Sequence, residues 1–157
     1  MPPASWSRSV GTADCLELGV CQLRETLAFG LLDYEHSGRD QAAWVIDLLR
    51  RDPATRSEVI TTLQPRTDTA YIPCISLLDF WLPRGAVELI VYAHSIDFGA
   101  QGYGKLAELA SLQDHVAGEL GLPAGRLLIT VKSAHIYETD LPCVHSVPAD
   151  YDSSNLR

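Results

Sequence analysis

Residues 71–81 have the sequence YIPCISLLDFW, in which Cys74 follows a proline and precedes an apolar run. Pro73 fixes its own φ and has no backbone N–H, so it suits the first position of a strand or a strand edge. The residues that follow predict a strand with a mostly buried surface, namely Leu77, Leu78, Phe80, Trp81 and Leu82. Cys74 is therefore expected at the mouth of a strand, where a ligand can reach a rigidly held thiol. Most free cysteines are instead small buried hydrophobic groups, and this stretch alone favours that alternative.

Length and composition indicate one globular domain. The chain has 157 residues, 46% of them hydrophobic and 20% charged, which suffices for a proper core. The net charge of −8 argues against a nucleic-acid partner or an anionic membrane surface, although it is compatible with a local cationic pocket for a small anion. The apolar runs are too short to span a membrane, so no membrane partner is expected. Residues 1–15 lack a signal-peptide core and predict a flexible N-terminal arm.

The four cysteines do not form a metal-binding pattern. They contain no C-x-x-C pair, so their spacing fits no zinc module and we expect no metal site; they are Cys15, Cys21, Cys74 and Cys143. Without a secretion signal, we expect reduced thiols and a cytoplasmic protein. The sequence leaves open a disulfide between Cys15 and Cys21, or one that involves Cys143.

Two helices are predicted on either side of Cys74. Asp40 is a good N-cap for the first, which carries an apolar stripe and ends at Asp52 and Pro53. The second is amphipathic and ends at Gly121. These helices are predicted over residues 40–51 and 105–120.

Strands are predicted between and after the helices. They cover residues 57–63, the run after Cys74, residues 87–92 and residues 127–131. The turn at 83–85 predicts an antiparallel hairpin, and residues 93–104 predict a loop with three glycines. Residues 16–32 fit a helix and a strand equally. The chain therefore predicts an α+β domain, a mixed or mostly antiparallel sheet with two main helices packed on it, followed by a short irregular tail over 142–157.

Four short blocks in the sequence occur in the order found in one enzyme family. They are Asp40-Gln41 with DPATR at 52–56, IPC at 72–74, YAHSID at 92–97 and SAHIYE at 133–138. In these blocks the chain resembles the thymidylate synthases and the related pyrimidine nucleotide hydroxymethylases. The similarity covers residues 16–141, so we expect one thymidylate synthase-like α+β domain between the arm and the tail.

The resemblance implies a covalent reaction at a pyrimidine. Cys74 matches the family's nucleophile, whose thiolate adds to C6 of the base and turns C5 into an enolate-like carbon. That carbon attacks a one-carbon unit, which implies 5,10-methylenetetrahydrofolate as a cofactor. Asp97 matches a second catalytic position, whose backbone lies beside the base.

The resemblance also implies the substrate contacts. Arg56 matches an arginine that reaches across a homodimer to the nucleotide phosphate, which implies a homodimeric assembly. Ser95 matches a phosphate-binding serine, and His94 lies at the phosphate-binding position beside it. His135 and Tyr137 match the pair that hydrogen-bonds the sugar hydroxyl. A further substrate position, which reads the base, falls on Lys105.

Several residues depart from the family pattern. Ser57 and His94 stand where phosphate-binding arginines are expected, and Lys105 stands where the base-reading asparagine is expected. Asp79 replaces a glutamine, and Ile75 replaces a histidine. We also expect no counterpart of the family's N-terminal phosphate arginine and proton-transfer glutamate, or of the segment that closes over the folate. The missing arginines predict a weaker phosphate requirement. Lys105 predicts a changed base preference, because a lysine donates hydrogen bonds but cannot accept them.

The sequence supports two main functions. The first is one-carbon transfer, as methyl or hydroxymethyl, to C5 of a pyrimidine nucleotide or nucleoside. The second is a non-catalytic homologue that kept the fold and serves as a binding or partner subunit. A weaker alternative is attack of the thiol on a different electrophile.

Each candidate residue also has a purely structural explanation. Lys105 could be a solvated residue at a helix start, and Asp97 could cap the glycine-containing loop. His135 could be a core histidine, and Arg56 could pair with a neighbouring carboxylate.

Overall fold

The computed structural model describes residues 40–66, 68, 70 and 72–145. The predicted arm over 1–15, the segment 16–32 and residues 146–157 of the tail lie outside these residues. Cys15, Cys21 and the side chain of Cys143 lie outside them as well, so the predicted disulfide alternatives stay open.

A four-stranded mixed sheet forms the centre of the described chain. Its strands are β1 (Val59–Thr61), β2 (Ile75–Trp81), β3 (Val87–Ala93) and β5 (Ala124–Val131), in the order β1-β2-β3-β5. The pairs β1–β2 and β2–β3 are antiparallel, and β5 runs parallel to β3. A short parallel pair, β4 (Ile96–Asp97) with β6 (Ala134–His135), follows β3 and β5. The predicted α+β class and the predicted hairpin are confirmed.

Two helices cover one face of the sheet. They are α1 (Gln41–Arg51) and α2 (Gly102–Leu120), and a short α3 (Leu141–His145) comes later. The side chain of Asp40 accepts a hydrogen bond from Ala43 N at 2.9 Å, as its N-cap prediction requires. Gly121 ends α2 in a left-handed conformation, with φ of 68°, which glycine adopts without a steric penalty. Short 3₁₀ segments span Pro83–Gly85 and Glu138–Asp140.

The core lies between this helical face and the sheet. Inward residues of β1, β2 and β3 pack against the apolar stripes of the helices, and among the fully buried side chains are Ile60, Leu78, Phe80, Leu89, Val45, Leu49, Leu109, Leu112 and Val116. The buried amide of Gln113 donates hydrogen bonds to Val87 O at 2.7 Å and Arg126 O at 3.1 Å. This amide therefore ties α2 to β3 and to the start of β5.

The opposite face of the sheet carries several exposed apolar side chains. Cross-strand register aligns Val59, Asp79, Ile90 and Leu128 in one row and Thr61, Leu77, Tyr92 and Thr130 in the next. We call this surface, which also carries Trp81, the open sheet face. Leu77 and Trp81 are 37% and 49% exposed, so the prediction of a mostly buried strand is wrong for these two residues. The reason is that the described helices α1 and α2 pack on the other face, and successive side chains of a strand point to opposite faces.

Several element boundaries also differ from the prediction. The helix α2 begins at Gly102 rather than Lys105, β5 begins at Ala124 rather than Leu127, and the strand expected over 57–63 is limited to β1. The predicted loop over 93–104 contains β4, and the predicted irregular tail contains α3. None of the helices in the described part of the chain combines the length and apolar character needed to cross a membrane.

Candidate functional site

Cys74 lies immediately before β2, beside the end of β3. The backbone N–H of His94 donates a hydrogen bond to the carbonyl of Cys74 at 2.9 Å. Ile75 is paired with Ala93, so the same antiparallel register sets Cys74 opposite His94. Directly opposed residues place their side chains on the same face of a ladder. Cys74 is a free, partly buried cysteine, as expected for a thiol at a strand mouth.

The chain segments after β3 and β5 stay hydrogen-bonded as far as His135. Ser133 N donates to His94 O at 3.1 Å, and Ile96 N donates to Ser133 O at 3.0 Å. Phe98 N then donates to His135 O at 2.8 Å. This series of backbone bonds links the segment of Cys74 to that of His135, although many residues separate them in sequence.

The side chains of Ser95 and His135 meet across this parallel ladder. Ser95 Oγ lies 3.5 Å from His135 Nδ1, and that nitrogen is 3.4 Å from Ser133 O. The rings of His135 and Tyr137 form an edge-to-face contact, with centroids 4.9 Å apart and planes at 81°. His135 is half-buried and Tyr137 is 59% exposed, so both rings border solvent rather than the core.

Asp97 is engaged in a tight turn. It pairs with His135 in the β4–β6 register, and its Oδ1 accepts a hydrogen bond from Gly99 N at 2.9 Å. A Cβ added at Gly99 would lie only 2.9 Å from the Cβ of Asp140 and from Cγ2 of Ile136. The turn therefore packs closely on the segment that carries Tyr137, and the capping role considered for Asp97 is realised.

Arg56 and Lys105 occupy opposite environments. Arg56 is exposed between α1 and β1, and within the described ranges it forms no ion pair with a neighbouring carboxylate. Lys105 lies in the first turn of α2 and is only 3% exposed, so the alternative of a solvated helix-start lysine is wrong. The reason is that α2 starts earlier than expected, which brings Lys105 into the packed part of the helix.

The structure connects most of the predicted site residues at one end of the sheet. Backbone bonds, the strand register and side-chain contacts join Cys74, His94, Ser95, Asp97, His135 and Tyr137. Lys105 follows through two backbone bonds, from Gln101 N to Asp97 O and from Lys105 N to Gln101 O. The hydrogen bonds and ion pairs of the described residues do not connect Arg56 to this group.

Two buried polar atoms have no hydrogen-bond partner among the described residues, namely Nδ1 of His94 and Oε2 of Glu58. His94 was predicted as a substrate-binding residue, whereas Glu58 was not. Burial raises the pKa of Glu58 and outweighs hydrogen bonds from backbone amides, which lower it, while the Asp79 carboxylate raises it further. Burial also raises the pKa of Asp79. The sequence signal that could have identified Glu58 is a lone carboxylate inside the strand predicted over 57–63.

The sequence profile of one protein family, thymidylate synthase, matches residues 6–147. The chain belongs to the thymidylate synthase family. It is 34% identical over 110 residues to a protein of Methanosarcina acetivorans described as a "Putative thymidylate synthase", covering 69% of this chain and 51% of that protein. It is 33% identical over 107 residues to the thymidylate synthase of Varicella-zoster virus (strain Dumas), covering 67% of this chain and 36% of the viral protein.

A similarly described protein of Methanothermobacter marburgensis is 34% identical over 107 residues, covering 67% of this chain and 48% of that protein. The chain thus spans about half the length of these Methanosarcina and Methanothermobacter relatives, and less of the viral enzyme. The family expectation drawn from the four sequence blocks is confirmed. Within the described ranges, no group of three or more His, Cys, Asp or Glu side chains is placed to hold a metal ion.

Proposed function

We propose that this chain carries a site for one-carbon transfer to C5 of a pyrimidine nucleotide or nucleoside. The observation that supports it is the series of hydrogen bonds from Cys74 through His94 and Ser133 to His135. It sets a partly accessible thiol at the same end of the sheet as a serine and an imidazole that meet at 3.5 Å. A nucleophile beside polar groups that can orient a sugar or a phosphate suits covalent catalysis on a small molecule.

The proposed step begins at the thiolate of Cys74. Its electron pair forms the S–C6 bond, and the electrons of the C5–C6 double bond move toward C5 and the O4 carbonyl. C5 would then form a bond to the one-carbon electrophile and lose its proton, and the carrier amine would leave with the electron pair of its C–N bond. Water would take its place in a hydroxymethyl product, or a hydride from the reduced folate in a methyl product, and expulsion of the thiolate would restore the ring. Ser95, His135 and Tyr137 would bind the sugar and phosphate, while Asp97 holds the loop beside the base.

The surroundings of α2 offer a surface for 5,10-methylenetetrahydrofolate, which when bound supplies a carbon at the methylene oxidation level. Phe98 and Tyr103 are 42% and 74% exposed at the start of this helix. The ring of Phe98 lies so close to Gly102 that an added Cβ would be 2.6 Å from it. Exposed rings next to the site would suit a flat pterin, so these two residues fit the cofactor.

A homodimer is the assembly we propose. The open sheet face exposes Val59, Leu77, Trp81, Tyr92 and Leu128, each by 37% to 58%. Several exposed apolar side chains on one face favour an interaction site there. In such a dimer an exposed Arg56 would be available to a nucleotide phosphate in the partner's site, the role that its sequence block suggests.

Debromination of 5-bromo-UMP in the presence of dithiothreitol tests the proposal without folate, because it requires only addition at C6. We expect bromide release and, with 5-fluoro-dUMP and methylenetetrahydrofolate, a covalent adduct detected by intact mass. Cys74→Ser should abolish both signals, whereas Cys21→Ser, which removes another cysteine, should keep them. Absence of debromination and of an adduct in the wild-type protein would refute the catalytic role.

The second candidate is a non-catalytic family member that serves as a binding or partner subunit. The loss of phosphate arginines at Ser57 and His94, together with the open sheet face, favours it. A wild-type protein that self-associates and binds UMP but gives no debromination would identify this second function.

A further inference from the structure

Lys132 lies beside His94 where the chain leaves the four-stranded sheet. Ala93 pairs with Val131 in the parallel β3–β5 ladder, and Lys132 N donates a hydrogen bond to Ala93 O at 2.9 Å. The β4–β6 ladder keeps the same offset between its two strands, so the two segments stay in register through the bend that separates the ladders. His94 and Lys132 therefore occupy matching positions on neighbouring segments.

Cys74 lies on the other side of His94. The backbone N–H of His94 donates to Cys74 O at 2.9 Å, which sets these two residues opposite each other. Ala93 is buried in the core and Val131 packs against it, so the residue that follows each of them turns away from the core. A thiol, an imidazole and an ammonium thus form a row across three neighbouring segments, which we call the end row: Cys74, His94 and Lys132.

Lys132 gives the end row a positive charge. Its side chain is exposed, and it takes no part in the ion pairs of the described residues, which engage Arg50 and Arg126 instead. His94 beside it has a ring nitrogen, Nδ1, without a hydrogen-bond partner in that part of the chain. Because the chain carries a net charge of −8, a cation at this end of the sheet makes the end row more attractive to an anion than the protein as a whole.

We propose that Lys132 is a substrate-binding residue, which holds the phosphate of a pyrimidine nucleotide next to His94. Its ammonium donates up to three hydrogen bonds and carries a full charge, which suits the oxygens of a phosphate monoester. The four sequence blocks give Lys132 no role, since it stands just before the SAHIYE block. The inference rests on the proposed transfer to C5, and it adds the residue that makes a nucleotide a better substrate than a nucleoside.

The end row fits the two ends of one nucleotide. Neighbouring strands lie about 5 Å apart, so the backbones of Cys74 and Lys132 are roughly 10 Å apart across the row. The flexible four-carbon stem of a lysine can shorten this span. The thiol then reaches the base while the ammonium holds the phosphate, with the sugar between them. A cation from the segment after β5 offsets the arginines missing at Ser57 and His94, so the phosphate requirement should be stronger than the sequence alone predicts.

Calorimetric titration of Lys132→Met tests the assignment without any chemistry. This variant should bind UMP and dUMP about three- to tenfold more weakly than the wild-type protein, because a charge-assisted hydrogen bond is lost at an exposed site. Its affinity for uridine and deoxyuridine, which lack the phosphate, should change far less. Lys132→Arg should keep the nucleotide affinity. The matched control is Arg84→Met, which removes an exposed cation from the turn between β2 and β3, at the other end of these strands, and should bind like the wild-type protein.

Several results of this titration would overturn the proposal. One is equal affinity of Lys132→Met and the wild-type protein for both nucleotides. Another is an equal loss for nucleotides and nucleosides, since that points to a structural change rather than to a lost phosphate contact. A wild-type protein that binds neither nucleotide would overturn it as well.

Debromination separates this inference from the proposed function. Lys132→Met should raise KM for 5-bromo-UMP more than it changes kcat, and it should narrow the preference for 5-bromo-UMP over 5-bromouridine. Active debromination with an unchanged KM and an unchanged preference would refute the role of Lys132 and leave the transfer function standing. Nucleotide binding that depends on Lys132, in a protein that does not debrominate, would support the phosphate contact and refute the transfer function.

Discussion

Substituting Gly99 by alanine tests how closely the Asp97 turn packs on the segment that carries Tyr137. The new Cβ would lie 2.9 Å from Asp140 Cβ and from Ile136 Cγ2, and 3.2 Å from Asp97 Oδ1. The exposed side chain of Ile136 can rotate away, but the Cβ of Asp140 moves only with its backbone. We expect Gly99→Ala to lower the free energy of unfolding by about 1–3 kcal/mol, the usual cost of overpacking.

Gly118→Ala is the matched control. Gly118 is exposed on α2, and a Cβ there meets no atom within 4 Å. Alanine favours the helix over glycine by about 0.5–1 kcal/mol, so this variant should be more stable than the wild-type protein. The two substitutions add the same methyl group, and the structure predicts opposite signs for them.

Urea unfolding, followed by tryptophan fluorescence, measures both variants. A change in the midpoint at constant slope reports a change in stability rather than in the compactness of the unfolded chain. If Gly99→Ala unfolds at the same urea concentration as the wild-type protein or higher, the close packing of the turn on Asp140 is refuted. Because the turn positions Asp97 beside His135, folded Gly99→Ala protein should also debrominate 5-bromo-UMP more slowly than Gly118→Ala.

Three further predictions follow from other parts of the structure. Because burial and the Asp79 carboxylate raise the pKa of Glu58, the folded state binds a proton more tightly than the unfolded chain. The contribution of Glu58 to the free energy of unfolding should therefore rise as the pH falls from neutral toward 4.5, the ordinary pKa of a glutamate. If the urea midpoint of Glu58→Gln depends on pH in the same way as that of the wild-type protein, this expectation is contradicted. Tyr92→Asp, on the open sheet face, should convert a dimer into a monomer in sedimentation velocity, and an unchanged dimer would exclude this face as its interface. Asp40→Ala should lower the stability by about 1 kcal/mol through loss of the N-cap bond, and no loss in urea would show that the cap contributes nothing.

The elements that the sequence predicted correctly are specified by local signals. The helix α1 begins after Asp40 and ends at Asp52, because an N-cap carboxylate and the Asp-Pro pair act within one turn of the chain. The β2–β3 hairpin follows from two apolar runs separated by a short turn. The position of Cys74 directly before β2 follows likewise from Pro73 and the apolar run.

The features that the sequence did not predict depend on contacts between distant segments. The strand β4 forms because the backbone N–H groups of Ile96 and Phe98 donate hydrogen bonds to the carbonyls of Ser133 and His135. The sequence of residues 93–104 does not indicate that this distant segment is its partner. The exposure of Trp81 depends on which face of the sheet the helices cover. The burial of Lys105 depends on where α2 begins.

By itself, the sequence determined the α+β class, the main helices and strands, the family and the set of candidate residues, because periodicity, caps and turns act over a few residues. Tertiary structure alone decided that Ser95 meets His135, that Glu58 and Lys105 are enclosed, and that one face of the sheet is open. These properties arise from pairing and packing between segments far apart in the chain, whose geometry no local pattern specifies.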